Sequence, residues 1–218
     1  QLRALVEAVA KTPAAAGSPQ QQIGDFFTAF MDEAKADSLG IAPLESEFAR
    51  IDAITTKSEL ATYFARQLKL GIGGAVIQGG VEGDAREPTR SVLYVSQGGL
   101  GLPDRDYYLK PDAKLKDIRT KYVDYVTAML TAASVPDAKA AAAGVMALET
   151  SLARVHWTNV ENRDAVKTYN RVPVNELATR FPGLDWTAWT TELGVASAPH
   201  IIVSQPSFFT ALAKTVAS

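Results

Sequence analysis

Cysteine is absent from the 218 residues, which excludes disulfides, thiolate nucleophiles and thiolate metal ligands together. That absence leaves the compartment open, because exported bacterial proteins often lack cysteine too. Histidine is nearly as scarce. The two present, His156 and His200, are far apart in sequence and do not form the i, i+4 pair with which one helix face grips zinc. No G-x-S-x-G elbow marks a nucleophilic serine. Charge of one sign is missing as well: the net charge is -2, the pI about 5.8, and no run of Lys and Arg is free of acidic neighbours. Nucleic acid is therefore excluded as a partner. Long apolar runs are also missing, since a bilayer span needs about 20 such residues and "AAAAGVMALE" is too short and too rich in alanine. No membrane contact by this segment is expected.

What the sequence does hold is the make-up of a folded protein, 47% apolar and 21% charged, with length enough for a sizeable core. One domain over 1–218 is the expectation. The chain begins inside a helical pattern (Leu2, Leu5, Val6, Val9) and ends inside another, "PSFFTALAKTVAS", so it reads as a segment of a longer protein.

Helical periodicity dominates. Ile23, Phe26, Phe27, Phe30, Met31 and Ala34 form a stripe that predicts one helix over 21–38 with a core-facing side, stopped by Gly40. Pro43 opens another, and "TKSE" (56–59) is a capping box that launches a helix over 57–70. Gly71, Gly73 and Gly74 then break the pattern. "AVIQGGVEG" and "SVLYVS" around a polar turn predict a β-hairpin. From Asp112, an N-cap, a further helix carries Leu115, Ile118, Tyr122 and Met129 on one face. "SVPD" (134–137) offers a serine cap for a long helix reaching Trp157. Shorter helices are expected over 174–180 and 185–193, then a short strand "HIIVS" and a last helix from Pro206. The fold class is mainly α, a multi-helix domain with one small β-hairpin insertion.

Chemistry is thin. His156, at a helix end, reads as a last-turn cation favoured by the helix dipole, and His200 as another structural residue. The glycines of "GIGGAVIQGGVEG" interrupt a hairpin, whereas a dinucleotide fingerprint follows a strand and opens a helix, so they are turn and bulge residues. In "ENRDAVKTYN" the charges of Glu161, Arg163, Asp164 and Lys167 can serve acid/base work. The favoured alternative is a salt-linked corner in which Arg163 and Asp164 tie backbone groups and Tyr169 plugs the core.

"QGGLGLPDRDYYL" (97–109) is the most unusual stretch. Gly98, Gly99 and Gly101 open backbone angles closed to other residues, and Pro103 fixes its own torsion. Asp104 is placed to cap a short turn, Arg105 and Asp106 to tie it to neighbouring helices. Tyr107 and Tyr108 can bury their rings with hydroxyls bonded. The stretch reads as a rigid corner joining hairpin to helix.

"GLGLPDRDYYL" also resembles a signature in the N-terminal half of the neprilysin and endothelin-converting-enzyme family of zinc metalloendopeptidases. "DFFTAFMDE", "RDAVKTYN" and "VSQPSFF" are similar, in order, to three further family stretches. The resemblance implies a helical, non-catalytic domain that closes over a zinc catalytic domain of the same chain and limits access to short peptide substrates. It implies zinc in the full-length parent and none in this segment. Catalytic and metal ligands would lie downstream, and the arginine that receives a substrate carboxylate upstream. Phe30 stands where animal members carry a disulfide cysteine, which points to a bacterial relative. By family analogy the parent is exported, periplasmic or membrane-associated. A stand-alone helical binding or scaffold module is the alternative.

Overall fold

The structure, a computed structural model, describes residues 1–72 and 76–217. It divides into two compact units, Gln1–Asp52 and Ala53–Ser218.

The first unit holds α1 (Leu2–Lys11), α2 (Pro19–Phe30), α3 (Glu33–Leu39), a 3-10 turn at Ala42–Leu44 and α4 (Glu45–Asp52). Ser18 caps α2 by accepting from the Gln21 N–H, and Pro19 stands at the first turn, where its missing N–H costs nothing. α2 packs against α1. Gly24 permits the approach, since a Cβ there would lie 3.3 Å from the Ala10 Cα. The single helix expected over 21–38 is in fact two. The Asp32 carboxylate accepts from the Lys35 N–H at 2.9 Å and so starts α3, because a short acidic side chain competes for backbone donors and favours a cap over a helix interior. The expected burial of the apolar stripe also fails. Phe26 is 74% exposed and Phe30 77%, with Ile23 and Met31 exposed beside them.

The second unit starts with α5 (Lys57–Lys69). The Thr56–Glu59 capping box forms as the sequence indicates. The Thr55 and Thr56 N–H groups and hydroxyls all donate to the Glu59 carboxylate. With the Thr55 N–H the largest cause, they hold its pKa down to about 2. At the far end Gly71 takes φ +68°, and the Ile72 N–H reaches back to the Gln67 carbonyl, closing the helix as a left-handed glycine allows. Gly73 and Gly74, also expected to break this helix, lie outside the described residues.

Strands β1 (Ile77–Gly83) and β2 (Ser91–Gln97) make the antiparallel hairpin, with Ile77 opposite Gln97. There follow α6 (Asp106–Leu109), α7 (Ala113–Ala132), α8 (Ala138–Val155), β3 (Arg171–Pro173), α9 (Leu177–Arg180), α10 (Trp186–Leu193), β4 (His200–Val203) and α11 (Pro206–Ala217). The hairpin belongs to a four-stranded sheet of order β1-β2-β4-β3. β4 runs parallel to β2, and β3 antiparallel to β4. β3 is too short, and too close to a proline, for sequence alternation to betray it.

Asp112 caps α7 as expected. Ser134 does not cap α8. With φ +58° it terminates α7, where the Val135 N–H bonds the Leu130 carbonyl. Asp137 caps α8 instead, accepting from the Ala140 N–H. α8 is therefore 18 residues long, roughly 27 Å at the α-helical rise, shorter than a helix over 134–157 would be.

The core lies on the sheet. Val95, Ile201 and Val203 are fully buried against Ala61 and Ala65 of α5, Trp189 of α10 and Phe208 of α11. The two alanines let α5 and α10 come together. Burying each large apolar side chain contributes about 1.5–3 kcal/mol, so this cluster carries the unit's stability.

Gly79 faces a tight spot in the hairpin. A Cβ there would run into the Tyr94 carbonyl, whereas one at Gly80 meets open space. Gly79→Ala is expected to destabilise the protein by about 1–3 kcal/mol, and Gly80→Ala by no more than about 0.5 kcal/mol. Urea unfolding of the two variants checks the contrast.

Candidate functional site

Where β2 ends, the chain enters 97–109, and it is met there by Gln205 of "VSQPSFF" and, through it, by Asn162 of "ENRDAVKTYN". Gln97 is central. Its side-chain oxygen accepts from the Trp157 N–H at 2.8 Å, its side-chain nitrogen donates to the Trp157 carbonyl at 3.2 Å, and its backbone N–H donates to Gln205 Oε1 at 3.0 Å. Gln205 in turn donates to Asn162 Oδ1 at 3.0 Å. One amide pair thus joins the end of β2, the residues after α8, the 3-10 turn Glu161–Arg163 and the start of α11. Gln205 is 5% exposed, so these bonds operate in a low-dielectric setting where an unmade partner is costly.

Glycine then lets the backbone turn. Gly99 has φ +82°, and a Cβ there would press on Leu152 Cδ1 at 3.1 Å and the Val76 Cα at 3.2 Å. At Gly101 a Cβ would overlap the Tyr122 hydroxyl. Asp104 closes the turn, accepting from the Asp106 N–H at 2.8 Å and from Asn159 Nδ2 at 2.9 Å. Arg105 Nε donates to the Ala153 carbonyl of α8 at 3.2 Å. Asp106 does not reach a neighbouring helix; its ion pair is with Lys110, one turn along α6. Arg119 of α7 donates to the carbonyls of Tyr107 and Lys110 at 2.6 and 3.2 Å, tying the end of α6 down.

Tyr108 is buried. Its hydroxyl accepts from the Leu102 N–H at 2.8 Å and donates to Glu149 Oε2 at 2.6 Å. Tyr122 donates to the other Glu149 oxygen at 2.9 Å. Burial first, and the carboxylate second, push both phenols well above their ordinary range.

His156 corrects the expectation of a last-turn cation. It is 9% exposed, sits edge-on to the Phe208 ring at 4.9 Å, and Nε2 lies 3.0 Å from the Gly98 carbonyl. A carbonyl only accepts, so Nε2 carries the proton. Burial pushes the pKa down; the Gly98 bond opposes this and Arg105 adds to it.

Beyond Asn162, the rest of the "ENRDAVKTYN" corner makes its own bonds. Asp164 Oδ1 accepts from the Val166 and Lys167 N–H groups, both at 3.0 Å, and these hold its pKa down, the Lys167 N–H most. Lys167 Nζ stands 3.9 Å from Asp164 Oδ2. Arg163 is exposed. Tyr169 is no core plug. Its hydroxyl donates to the Asp84 carboxylate at 2.7 Å, and the Arg86 guanidinium covers its ring at 4.2 Å, so it fastens the hairpin turn to β3.

Around the 97–109 corner lies a recess of about 300 Å³ whose walls include Gln78, Pro103, Arg105, His156, Asn159 and Gln205. Its polar groups largely satisfy one another. No group of three or more His, Cys, Asp or Glu that could hold a metal ion occurs among the described residues. No helix among them is long and apolar enough to cross a membrane. Sequence reasoning passed over Gln97, Asn162 and Glu149. Gln205 carried a faint signal, being followed by proline at a helix start.

The model of peptidase family M13 matches residues 1–218. Endothelin-converting enzyme 1 of Cavia porcellus is 32% identical over 109 residues, covering 49% of this chain and 14% of that protein. Neprilysin-3 of Drosophila melanogaster is 30% identical over 106 residues, covering 48% and 14%. Among solved structures, the zinc metalloprotease ZMP1 of Mycobacterium tuberculosis, in complex with an inhibitor, superposes with a TM-score of 0.88 at 31% identity, over 100% of this chain and 34% of that one. PepO of Lactobacillus rhamnosis shares the fold, with a TM-score of 0.74 at 19% identity. The chain thus spans a small part of its curated relatives and about a third of the solved ones.

Two outcomes follow from the corner. Because the His156 pKa is depressed in the fold, His156 adds nothing to pH dependence above the unfolded value of about 6.5. As pH falls below that value the unfolded chain takes up a proton that the folded one resists, and stability is lost. His156→Gln, which keeps a donor toward Gly98, should therefore lose less stability than the parent sequence between about pH 7.5 and about pH 5.5; equal urea-midpoint shifts would contradict the assignment. Glu149→Ala, which strips both phenols of their acceptor, is expected to cost about 1–3 kcal/mol, and Glu149→Gln less, by the same measurement.

Proposed function

Because the chain belongs to peptidase family M13, as its N-terminal part, we propose that it is the helical, non-catalytic portion of a zinc metalloendopeptidase. In this reading it helps to enclose the active-site cavity and restricts cleavage to short peptides. The observation that carries the reading is the braced corner. Its chemistry-bearing side chains, Asp104, Arg105, Glu149 and His156, are bonded to neighbouring protein groups, which suits a wall that must keep its shape while the reaction occurs elsewhere. Gln97 and Gln205 fix the strand and helix ends around it.

The catalytic portion would belong to the same parent chain. Zinc held there would polarise the scissile carbonyl and activate water, with a carboxylate as general base. This segment's contribution is positional: it excludes bulk water and bulky substrates and supplies no ligand to the metal. Its two units serve as one domain of the parent in this account. The cysteine-free sequence and the likeness to a mycobacterial structure support a bacterial parent; that it is exported, periplasmic or membrane-associated is proposed by family analogy alone.

Two measurements test the proposal. The 218-residue chain alone is expected to bind no stoichiometric zinc and to cleave no peptide, by elemental analysis and a fluorogenic peptide assay. The parent is expected to cleave short peptides and to spare an unfolded protein substrate. Tightly bound zinc on the isolated chain, or a parent that degrades the long substrate as readily as the short one, would overturn it. A parent without zinc or peptidase activity would favour the stand-alone binding module.

A further inference from the structure

We infer that the recess around the 97–109 corner is a binding site for a zwitterion of dipeptide size, whose carboxylate meets Arg105 and whose ammonium meets Asp104. Every residue of its wall belongs to Ala53–Ser218, so one compact unit supplies the site. The inference goes beyond the proposed function and does not rest on it, since neither zinc nor peptide cleavage enters into it.

Charge selects the occupant. Of the residues that line the recess, Asp104 and Arg105 are the two that carry a formal charge. His156 lines it too, but burial first, with Arg105 adding, outweighs the Gly98 bond and favours its neutral form. The two opposite charges are neighbours in sequence, yet among the described residues Arg105 forms no ion pair. Each is held by other bonds. Arg105 Nε donates to the Ala153 carbonyl, and the Asp104 oxygens accept from the Asp106 N–H and from Asn159 Nδ2. Glu161, outside the wall, accepts from the Thr158 N–H and hydroxyl at 2.8 and 2.7 Å; these chiefly hold its pKa down, with Arg105 a lesser cause. A plain anion would be opposed by Asp104 and a plain cation by Arg105, whereas a zwitterion answers both.

Bonding capacity is left over on this wall. Arg105 and Asn162 are half-buried, and among the described residues the Arg105 Nη groups and Asn162 Nδ2 have no acceptor. Asp104 has accepted two bonds, and a carboxylate offers roughly four acceptor positions. The Gln78 side-chain amide, on the same wall, is also open among the described residues. A guanidinium fixed through Nε, with its remaining donors free, is set to take a carboxylate. The amides are of the kind that bonds the peptide group between two charged ends.

Size limits the occupant. Ligand pockets commonly enclose about 300–1,000 Å³, and this one, at about 300 Å³, stands at the small end. A dipeptide fits with both termini inside; a long extended peptide does not. The wall is also set before a ligand arrives. The Gln97 and Gln205 bonds fix its strand and helix ends, Gly99 and the Asp104 turn fix the loop, and Asn159 is tied to Asp104. Little side-chain freedom is therefore lost on binding.

The test is an NMR titration of the 218-residue chain, at about pH 7, where a peptide amine is largely protonated. The probes are alanylalanine, its N-acetyl form, its C-terminal amide and inorganic phosphate. The expected result is saturable movement of the Asn159 and Asn162 side-chain amide signals by alanylalanine, with a midpoint on the order of 1 mM. Each capped form should bind at least about tenfold more weakly, and phosphate should leave both signals in place. Equal response to the N-acetyl form or to phosphate would overturn the inference in favour of a bare anion site. Equal response to the amide form would overturn it in favour of a cation site on Asp104. No movement with any probe would leave an ordinary solvent-filled recess and overturn it as well. The zinc and cleavage measurements on the parent bear on the functional reading alone, so the two can fail separately.

Discussion

The structure depends first on the Gln97 brace. A strand end, a helix end and a helix start meet at this point, and each leaves backbone groups without regular partners. Gln97 takes both backbone polar groups of Trp157, and Gln205 takes the Gln97 N–H. Once those ends are fixed, the Gly98 carbonyl faces His156 and the next residues are committed to the glycine turn. Removing a member leaves buried donors or acceptors unpaired, a cost borne by neighbouring elements at once and not by one local contact.

Much of this was legible in the sequence, and the parts that were not share a cause. Regular elements declared themselves by periodicity and caps: α5 by Thr56 and Glu59, α7 by Asp112, the hairpin by its alternation. The special backbone of 97–109 was legible from Gly99, Gly101 and Pro103, and the turn from Asp104. Resemblance to the neprilysin family carried the assignment, which the family match over residues 1–218 bears out. What stayed hidden was relational. Ser134 and Asp137 both look like caps, and only the backbone decides that the first ends α7 and the second starts α8. The split at Asp32 turns on one carboxylate bonding one N–H. His156 reads as a surface cation until Phe208 and Gly98 are brought against it. Nothing local marks Gln97, Asn162 or Glu149, because amides and carboxylates are ordinary surface residues and acquire their roles only from distant partners.

The two units solve the burial problem differently. Ala53–Ser218 builds a core of its own, with the sheet's inner side chains enclosed by two tryptophans of α10 and two phenylalanines of α11. Gln1–Asp52 has a stripe of the right period for a core and no core beneath it. Periodicity reports that a helix face is to be covered, not by what.

Side-chain bonds brace the 97–109 corner, which is expected to be as firm as the sheet beside it. Amide hydrogen exchange tests this most directly. The N–H groups of Gln97, Leu102 and Trp157, whose acceptors are all side chains, should be protected to the level of Val203, whose N–H is bonded to the Asn170 backbone carbonyl. In a Gln205→Ala variant the Gln97 and Trp157 amides should lose that protection together. If the three exchange at rates typical of an open turn while Val203 stays protected, the corner is a loose connection and the claim fails.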